Sequence, residues 1–226
     1  MPVHSLTEIL YPDSIAVIGA SKEETKRGFR SIQKLIEDGY PGEIYPINPK
    51  EPEILGLRCY PDIADVPGSV DLVLVCTPAK TLPEIIARCG TKGVKGAVVL
   101  AGGFAEAGEQ GSELQQQMVD VARANGIRII GPNTSGIFNT HRACNIVGFA
   151  NLRKGGIGLL SQSGNMALSL VTEAEANGPC RPQHLCRDWQ RVRRSVRRVP
   201  RLFRGRREYQ GGRRLHRGAE ARAQIP

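Results

Sequence analysis

One unit recurs along most of this chain: an unbroken apolar run, a loop of small or polar residues, then a helix. Ser14-Ile15-Ala16-Val17-Ile18-Gly19 leads into Gly19-Ala20-Ser21 and a helical pattern over 28–38, closed by Gly39. Glu43–Lys50 gives a second strand and a proline-bounded loop, and Asp71–Val75 a third strand, ending in Cys76-Thr77-Pro78-Ala79. A helix over 82–89 follows, with Pro83 in its first turn. Gly96–Leu100 runs into Ala101-Gly102-Gly103-Phe104-Ala105-Glu106. A helix over 113–125 then carries Leu114, Met118, Val121 and Ala122 on one face. Ile127–Ile130 is the fifth strand, followed by Gly131-Pro132-Asn133-Thr134-Ser135-Gly136. Strands that are apolar throughout, rather than alternating, belong to a parallel sheet covered on both faces. The fold class is therefore α/β. In such sheets the loops at the carboxyl ends of the strands form the ligand crevice.

A second unit starts after a linker, Asn145–Arg153. Lys154–Ser161 is a short strand, Ser161-Gln162-Ser163-Gly164 a turn, and Ser163–Ala176 a helix. Backbone N–H groups and two hydroxyls meet at that helix start, which suits an anion. Before residue 14, a leader with a short helical pattern (Leu6, Ile9, Leu10) ends at Pro12.

The pattern stops at Asn177-Gly178. The chain carries a net charge of +9, but residues 178–226 hold fifteen Arg, no Lys and three acids, so +12 falls there and −3 on the remainder. The basic balance thus describes the tail. As a selected segment it would be a disordered nucleic-acid-binding arm, with salt-dependent binding. Fifteen Arg without a Lys, when the body has eight Lys, is also what a GC-rich gene gives out of frame. With one base dropped, the codons of Cys180–Arg191 permit Val-Gly-Leu-Ser-Thr-Phe-Val-Gly-Ile-Gly-Asn-Ala, a strand running into a Gly-Asn loop. A frameshift near Asn177–Cys180 is the expectation, and nucleic acid is not an expected partner.

The six cysteines (Cys59, Cys76, Cys89, Cys144, Cys180, Cys186) form no CxxC pair, and Cys76 and Cys89 read as buried free thiols. No apolar run approaches the length of a membrane span or signal peptide. A reducing cytoplasm fits, with no membrane association.

Gly19-Ala20-Ser21 after a strand suits a phosphate, with Lys22, Lys26 and Arg27 nearby, and equally suits a plain strand-to-helix turn. An NAD enzyme places an acid at the end of its second strand for the ribose. Here Asn48-Pro49-Lys50 stands in that place, and a lysine favours an additional phosphate. The joint presence of Gly131–Gly136 and Ser161–Gly164, each after a strand, is the more specific constellation.

These pieces resemble the CoA-binding domain of the NDP-forming acyl-CoA synthetases, the superfamily of the succinyl-CoA synthetase α subunit and ADP-forming acetate–CoA ligase. The matching runs are Ser14–Ser21, Tyr45–Lys50, Asp71–Ala79, Ala101–Glu106, Gly131–Gly136 and Ser161–Gly164, in family order, over residues 5–177. The resemblance implies a Rossmann-like CoA-binding domain over 1–150, the start of a flavodoxin-like domain over 151–177 left incomplete, and a disordered tail over 178–226. It also implies roles. Gly19, Ala20 and Ser21 would face the CoA phosphates. Lys50 would contact the nucleotide end, with Pro49 shaping the loop. Thr77 and Pro78 would line the adenine and pantetheine path, Gly102 and Gly103 would admit the pantetheine, and Asn133 would sit near the thiol. Ser161, Gln162, Ser163 and Gly164 would hold the phosphoryl group. Thr134 stands where the succinyl-CoA synthetase α subunit has a Cys.

The family reaction is acyl-CoA + ADP + phosphate ⇌ carboxylic acid + CoA + ATP, through a phosphohistidine that swings to an ATP-grasp domain or β subunit. CoA is the ligand expected here, with ADP, ATP and Mg²⁺ only in a complete enzyme. None of His4, His141, His184 and His216 stands in the context of that histidine, and His141 reads as a surface or linker residue. No catalytic residue and no metal site is therefore expected in this chain. The expectation is a CoA-binding portion inactive on its own, the alternative a stand-alone CoA-binding or regulatory module.

Overall fold

The computed structural model describes residues 6–149, 154–155, 157–177, 182–186 and 211–215. Helix α1 (Leu6–Leu10) precedes β1 (Ser14–Ile18), α2 (Arg27–Glu37) and β2 (Glu43–Ile47). A small antiparallel hairpin, β3 (Glu53–Ile54) and β4 (Leu57–Arg58), leads to β5 (Leu72–Val75) and α3 (Leu82–Thr91). Then come β6 (Gly96–Val99), α4 (Glu109–Ala124) and β7 (Arg128–Ile130). Five strands form a parallel sheet in the order β2-β1-β5-β6-β7. The order reverses between β1 and β5, and in doubly wound sheets the ligand lies at the carboxyl ends of the strands at such a reversal.

Alternate residues of each central strand enter different cores. Ala16, Ile18, Val73, Val75, Ala97 and Val99 face the layer of α3 and α4, with Leu82, Ile86, Met118 and Ala122. Ile15, Val17, Leu72, Leu74 and Val98 face Ile32 and Leu35 of α2 and Ile9 and Leu10 of α1. This two-sided burial is why these strands read as continuous apolar runs. Burying each such side chain contributes about 1.5–3 kcal/mol, so α1, short as it is, is held by Ile9 at 0% exposure.

At the amino end of the sheet Asp71 ties three segments together. Its carboxylate accepts from the Asp13 N–H at 2.8 Å and pairs with Lys95 at 2.8 Å, and its own N–H donates to Ser14 Oγ at 3.0 Å.

Beyond β7 lies a hairpin that the sequence pattern does not announce, β8 (Ile137–Asn139) and β9 (Cys144–Asn145). It belongs to a second sheet, β12-β10-β11-β8-β9. Here β10 (Ile157–Ser161) runs parallel to β11 (Pro182–Cys186) and β12 (Gly211–Leu215), and β11 is antiparallel to β8. Helix α5 (Gly164–Asn177) follows β10. The hairpin serves both units. Ile137, Cys144 and Ile146 pack in the core beneath α2, whereas Phe138 packs with Val147, Leu159, Ala167 and Val171. Asn139 Nδ2 donates to the Leu10 carbonyl at 2.7 Å, Asn145 Nδ2 to Asp38 at 2.8 Å, and Arg142 pairs with Asp13. The expected linker from Asn145 therefore begins buried, with Ile146 at 0% and Val147 at 4% exposure.

In the tail, Pro182–Cys186 and Gly211–Leu215 are strands on either side of β10, so the second sheet holds more than the single strand its sequence pattern gives. The remaining tail residues lie outside the described ones. So do His4, His216, Cys180 and the side chains of His184 and Cys186.

Candidate functional site

Three loops meet where the strand order reverses. Gly19, after β1, has φ +82°, and a Cβ there would stand 3.0 Å from Thr77 Cγ2, so glycine is required by both conformation and proximity. The N–H groups of Gly19 and Ala20 donate to the Ile47 carbonyl at 3.1 and 3.2 Å, joining the loop after β1 to β2. Asn48 continues the connection, donating from Nδ2 to the Ala20 carbonyl at 2.7 Å.

The result is a cleft of about 710 Å³. Gly19, Asn48, Pro49, Lys50, Thr77 and Pro78 line it, with Lys26 and with Asp62, Ile63, Ile85 and Arg88 from the far wall. Ile18, Ile47, Ile63 and Ile85 give it an apolar lining, a mixture of apolar walls and few polar groups typical of small-molecule sites. Its cations differ in standing. Arg88 pairs with Asp62 and, at 2.6 Å, with Glu84, and Lys26 lies 3.7 Å from Glu23. Asp62 is held below the usual carboxylate range: burial opposes this, but the Ala64 N–H and Arg88 outweigh it. Among the described residues Lys50 makes no ion pair, and its exposed ammonium is open to a ligand anion. The other expected loop members lie differently. Ala20 is 1% exposed and packs in the core beneath α2. Ser21 Oγ accepts from the Glu23 N–H at 3.0 Å, away from the cleft lining.

A second group continues along the same edge of the sheet. A Cβ on Gly103 (φ +95°) would lie 3.7 Å from the Ala79 Cβ, so the loop after β6 touches the one after β5. A Cβ on Gly102 would lie 3.6 Å from Asn133 Cγ, and the Asn133 N–H donates to the Ala101 carbonyl at 2.8 Å. Glu106 accepts the Gly103 N–H at 2.7 Å. Arg27, at the start of α2, donates to the Ser135 carbonyl at 2.8 Å and ties this group back to the first loop.

The third expected group stands at the carboxyl end of β10 in the other sheet. Ser161 is 1% exposed, and its hydroxyl donates to the Ser163 carbonyl at 2.9 Å and accepts the Ser163 N–H at 3.1 Å. Ser163 Oγ caps α5 by accepting from the Met166 N–H at 3.4 Å. Both hydroxyls are thus used in shaping the turn. Gln162 and Gly164 flank it, and the first N–H groups of α5 face out of the helix end.

Asp62, Ile63, Ile85 and Arg88 are lining residues that motif reading did not single out. These have no motif, since they enter the cleft through tertiary folding. His141 sits in the turn between β8 and β9, half-buried, its Nε2 at 3.2 Å from the Gly155 carbonyl. Among the described residues no group of three His, Cys, Asp or Glu could hold a metal, and no helix is long and apolar enough to cross a membrane. Cys59, Cys76, Cys89 and Cys144 are free thiols. Burial pushes Cys76, Cys89 and Cys144 up to about 12, which keeps them as neutral thiols at neutral pH.

Residues 13–140 match the CoA binding domain family. Acetate–CoA ligase [ADP-forming] II of Archaeoglobus fulgidus is 44% identical over 180 residues, covering 78% of this chain and 27% of that enzyme. The α subunit of acetate–CoA ligase [ADP-forming] II of Pyrococcus furiosus is 39% identical over 160 residues, covering 71% of this chain and 35% of the subunit. The chain spans roughly a quarter to a third of the length of these relatives. Among solved structures, dinucleotide-forming acetyl-coenzyme A synthetase 1 of Ca. Korarchaeum cryptofilum, in complex with phosphate and ADP, superposes with a TM-score of 0.87 at 30% identity. That match covers 96% of this chain and 46% of the synthetase chain. By its strand order, its loops and these likenesses, the chain belongs to the CoA binding domain family, in the form found in the ADP-forming acetate–CoA ligases.

Proposed function

We propose that this chain is the CoA-binding portion of an NDP-forming acyl-CoA synthetase, holding CoA in the cleft between β1, β2 and β5. The observation that carries this reading is the pairing of an apolar lining with Lys50, a cation with no carboxylate partner among the described residues, at the strand-order reversal. The adenine would lie against the isoleucines, with Lys50 at the ribose phosphate. The pantetheine would pass Thr77 and Pro78, then Gly102 and Gly103, and bring the thiol toward Asn133. Gly19 lets the neighbouring loop approach, and Ala20 and Ser21 brace that loop from behind.

In the complete enzyme the overall reaction is acyl-CoA + ADP + phosphate ⇌ carboxylic acid + CoA + ATP. The Ser161–Gly164 turn and the α5 N-terminus supply donors and a dipole that stabilise a phosphoryl dianion without a cation. The phosphorylated histidine, ADP and Mg²⁺ belong to a further domain or to an ATP-grasp β subunit. A cytoplasmic location goes with this reading, as do the free thiols. Residues 178–226 are, on this proposal, an out-of-frame translation.

Isothermal titration tests the reading. CoA is expected to bind one-to-one, NAD at least about tenfold more weakly, a difference of about 1.4 kcal/mol. Tighter binding of NAD rejects it. No ATP is expected from acetyl-CoA, ADP and phosphate with this chain alone. A phosphohistidine detected by mass spectrometry after incubation with ATP would contradict the assignment of that histidine to another segment.

A further inference from the structure

We propose that Asn48 is a positioning residue for ligand discrimination: it locks Lys50 against the loop after β1, so that the cleft tells CoA from its analogue lacking the ribose phosphate. The proposal rests on the reading of this cleft as the CoA site. Asn48 makes four polar contacts in four directions. Its side-chain Nδ2 donates to the Ala20 carbonyl at 2.7 Å, and its Oδ1 accepts the Lys50 N–H at 2.9 Å. Its backbone N–H donates to the Tyr60 carbonyl at 2.9 Å, and its carbonyl accepts from Cys59 Sγ at 3.6 Å. One residue therefore joins the loop after β1, the Pro49-Lys50 turn and the segment after β4, and it lines the cleft itself.

The side chain must be an amide. Its two ends face a carbonyl acceptor and an N–H donor, so the orientation of the amide is fixed by its partners. A carboxylate would set oxygen against the Ala20 oxygen, and an alanine would lose both the bond to the Ala20 carbonyl and the bond from the Lys50 N–H. The consequence falls on Lys50. A lysine ammonium on a flexible stem selects an anion only as well as its backbone is placed, and the bond from the Lys50 N–H to Asn48 Oδ1 is what places it. The Gly19 and Ala20 N–H groups are already committed to Ile47, and two side-chain ties join the loops: the Asn48 amide inside the cleft, and an exposed ion pair of Lys22 with Glu51 at 2.8 Å.

Calorimetry of the full chain with CoA and with dephospho-CoA tests this. The wild type is expected to bind CoA more tightly than dephospho-CoA, and equal affinities would overturn the proposal. Asn48→Ala is expected to lose about tenfold in affinity for CoA and under about twofold for dephospho-CoA, collapsing the ratio as Lys50→Ala does. The double variant is expected to be no worse in that ratio than Lys50→Ala, because both act through one contact. Equal losses for both ligands, or additive effects in the double variant, overturn the positioning role while leaving CoA binding intact. A wild type that binds neither ligand overturns the cleft assignment instead. Hydrogen exchange without ligand gives a separate check: in Asn48→Ala the Lys50 amide should lose protection while those of β1 and β5 keep theirs, and an unchanged Lys50 amide sinks the proposal.

Discussion

Gly28, one residue into α2, stands directly against Gly19: a Cβ on Gly28 would lie 2.5 Å from the Gly19 carbonyl oxygen and 3.0 Å from the Ala20 Cα. The helix start and the loop after β1 are thus in backbone contact, and neither can yield as a flexible side chain would. Gly28→Ala is expected to push α2 off the loop. Overpacking of this kind costs about 1–3 kcal/mol, to be read from the urea midpoint. CoA affinity should fall more than the stability loss explains, because the displaced loop is a wall of the cleft. Gly39, where an added Cβ meets nothing within 4 Å but φ is +69°, is the control: alanine there should cost stability and leave CoA affinity unchanged.

Asp71 sets an acid limit on stability. Burial favours its neutral form, but the hydrogen bond and charge of Lys95 and the Asp13 N–H outweigh this, so the carboxyl titrates below the usual range. A depressed native pKa contributes stability that is complete above the unfolded carboxylate pKa and lost as pH falls through the native value. The unfolding free energy should therefore be flat from neutral pH down to the ordinary carboxylate range and fall below it. Asp71→Asn should remove about 1–3 kcal/mol at neutral pH and flatten the acid limb. A variant with the wild-type acid slope would show that other carboxylates set it.

The hairpin of β8 and β9 predicts a separable failure. Phe138 packs with Leu159, Ala167 and Val171 of the second unit, while its neighbour Ile137 packs beneath α2. Phe138→Ala should cost about 3–5 kcal/mol locally. Hydrogen exchange should speed in β10 and α5 and not in β1 or β5, and CoA binding in the first cleft should persist. Simultaneous loss of protection in both sheets would show that the two units unfold as one.

The five parallel strands were legible because residues such as Val73 and Leu74 are apolar on both faces, and two buried faces leave an unbroken run. The start of α4 was not. Its first turn contains Gly111, a poor helix residue, and a Cβ there would meet the Phe104 carbonyl oxygen at 2.0 Å, so close packing overrides propensity and the helix begins at Glu109, four residues earlier than its periodicity predicts. The hairpin was hidden because Ile137-Phe138-Asn139 divides its three side chains between two cores and so shows no periodic signal. In the cleft lining, Gly19 and Lys50 could be picked out from their places in the loops after β1 and β2. The clasp at Asn48 could not, since its partner Ala20 lies 28 residues away and the link exists only once β1 and β2 are paired.

Sequence likeness to the two curated relatives covers 71–78% of the chain, whereas the structural likeness to the Korarchaeum synthetase covers 96%. Fifteen Arg and no Lys stand in residues 178–226. Strand β11 occupies Pro182–Cys186, beside β10. Pro-Gln-His-Leu-Cys is a poor strand sequence by composition, with a proline that cannot donate to a ladder. The one-base-shifted frame permits Leu-Ser-Thr-Phe-Val over those same five positions, where the β-branched and aromatic residues suit a half-buried strand. The nucleotide sequence across codons 170–190 should therefore contain a single-base change whose reversal restores an open frame encoding that strand and the Gly-Ile-Gly-Asn-Ala loop after it. The protein made from the restored frame should protect β10 amides more strongly than the present chain, because β10 would gain an apolar neighbour. A confirmed read in the present frame, with no intact shifted frame downstream, would leave the arginine-rich tail as a genuine segment, and its salt-dependent binding to DNA, lost on deleting residues 178–226, would then be the experiment to do.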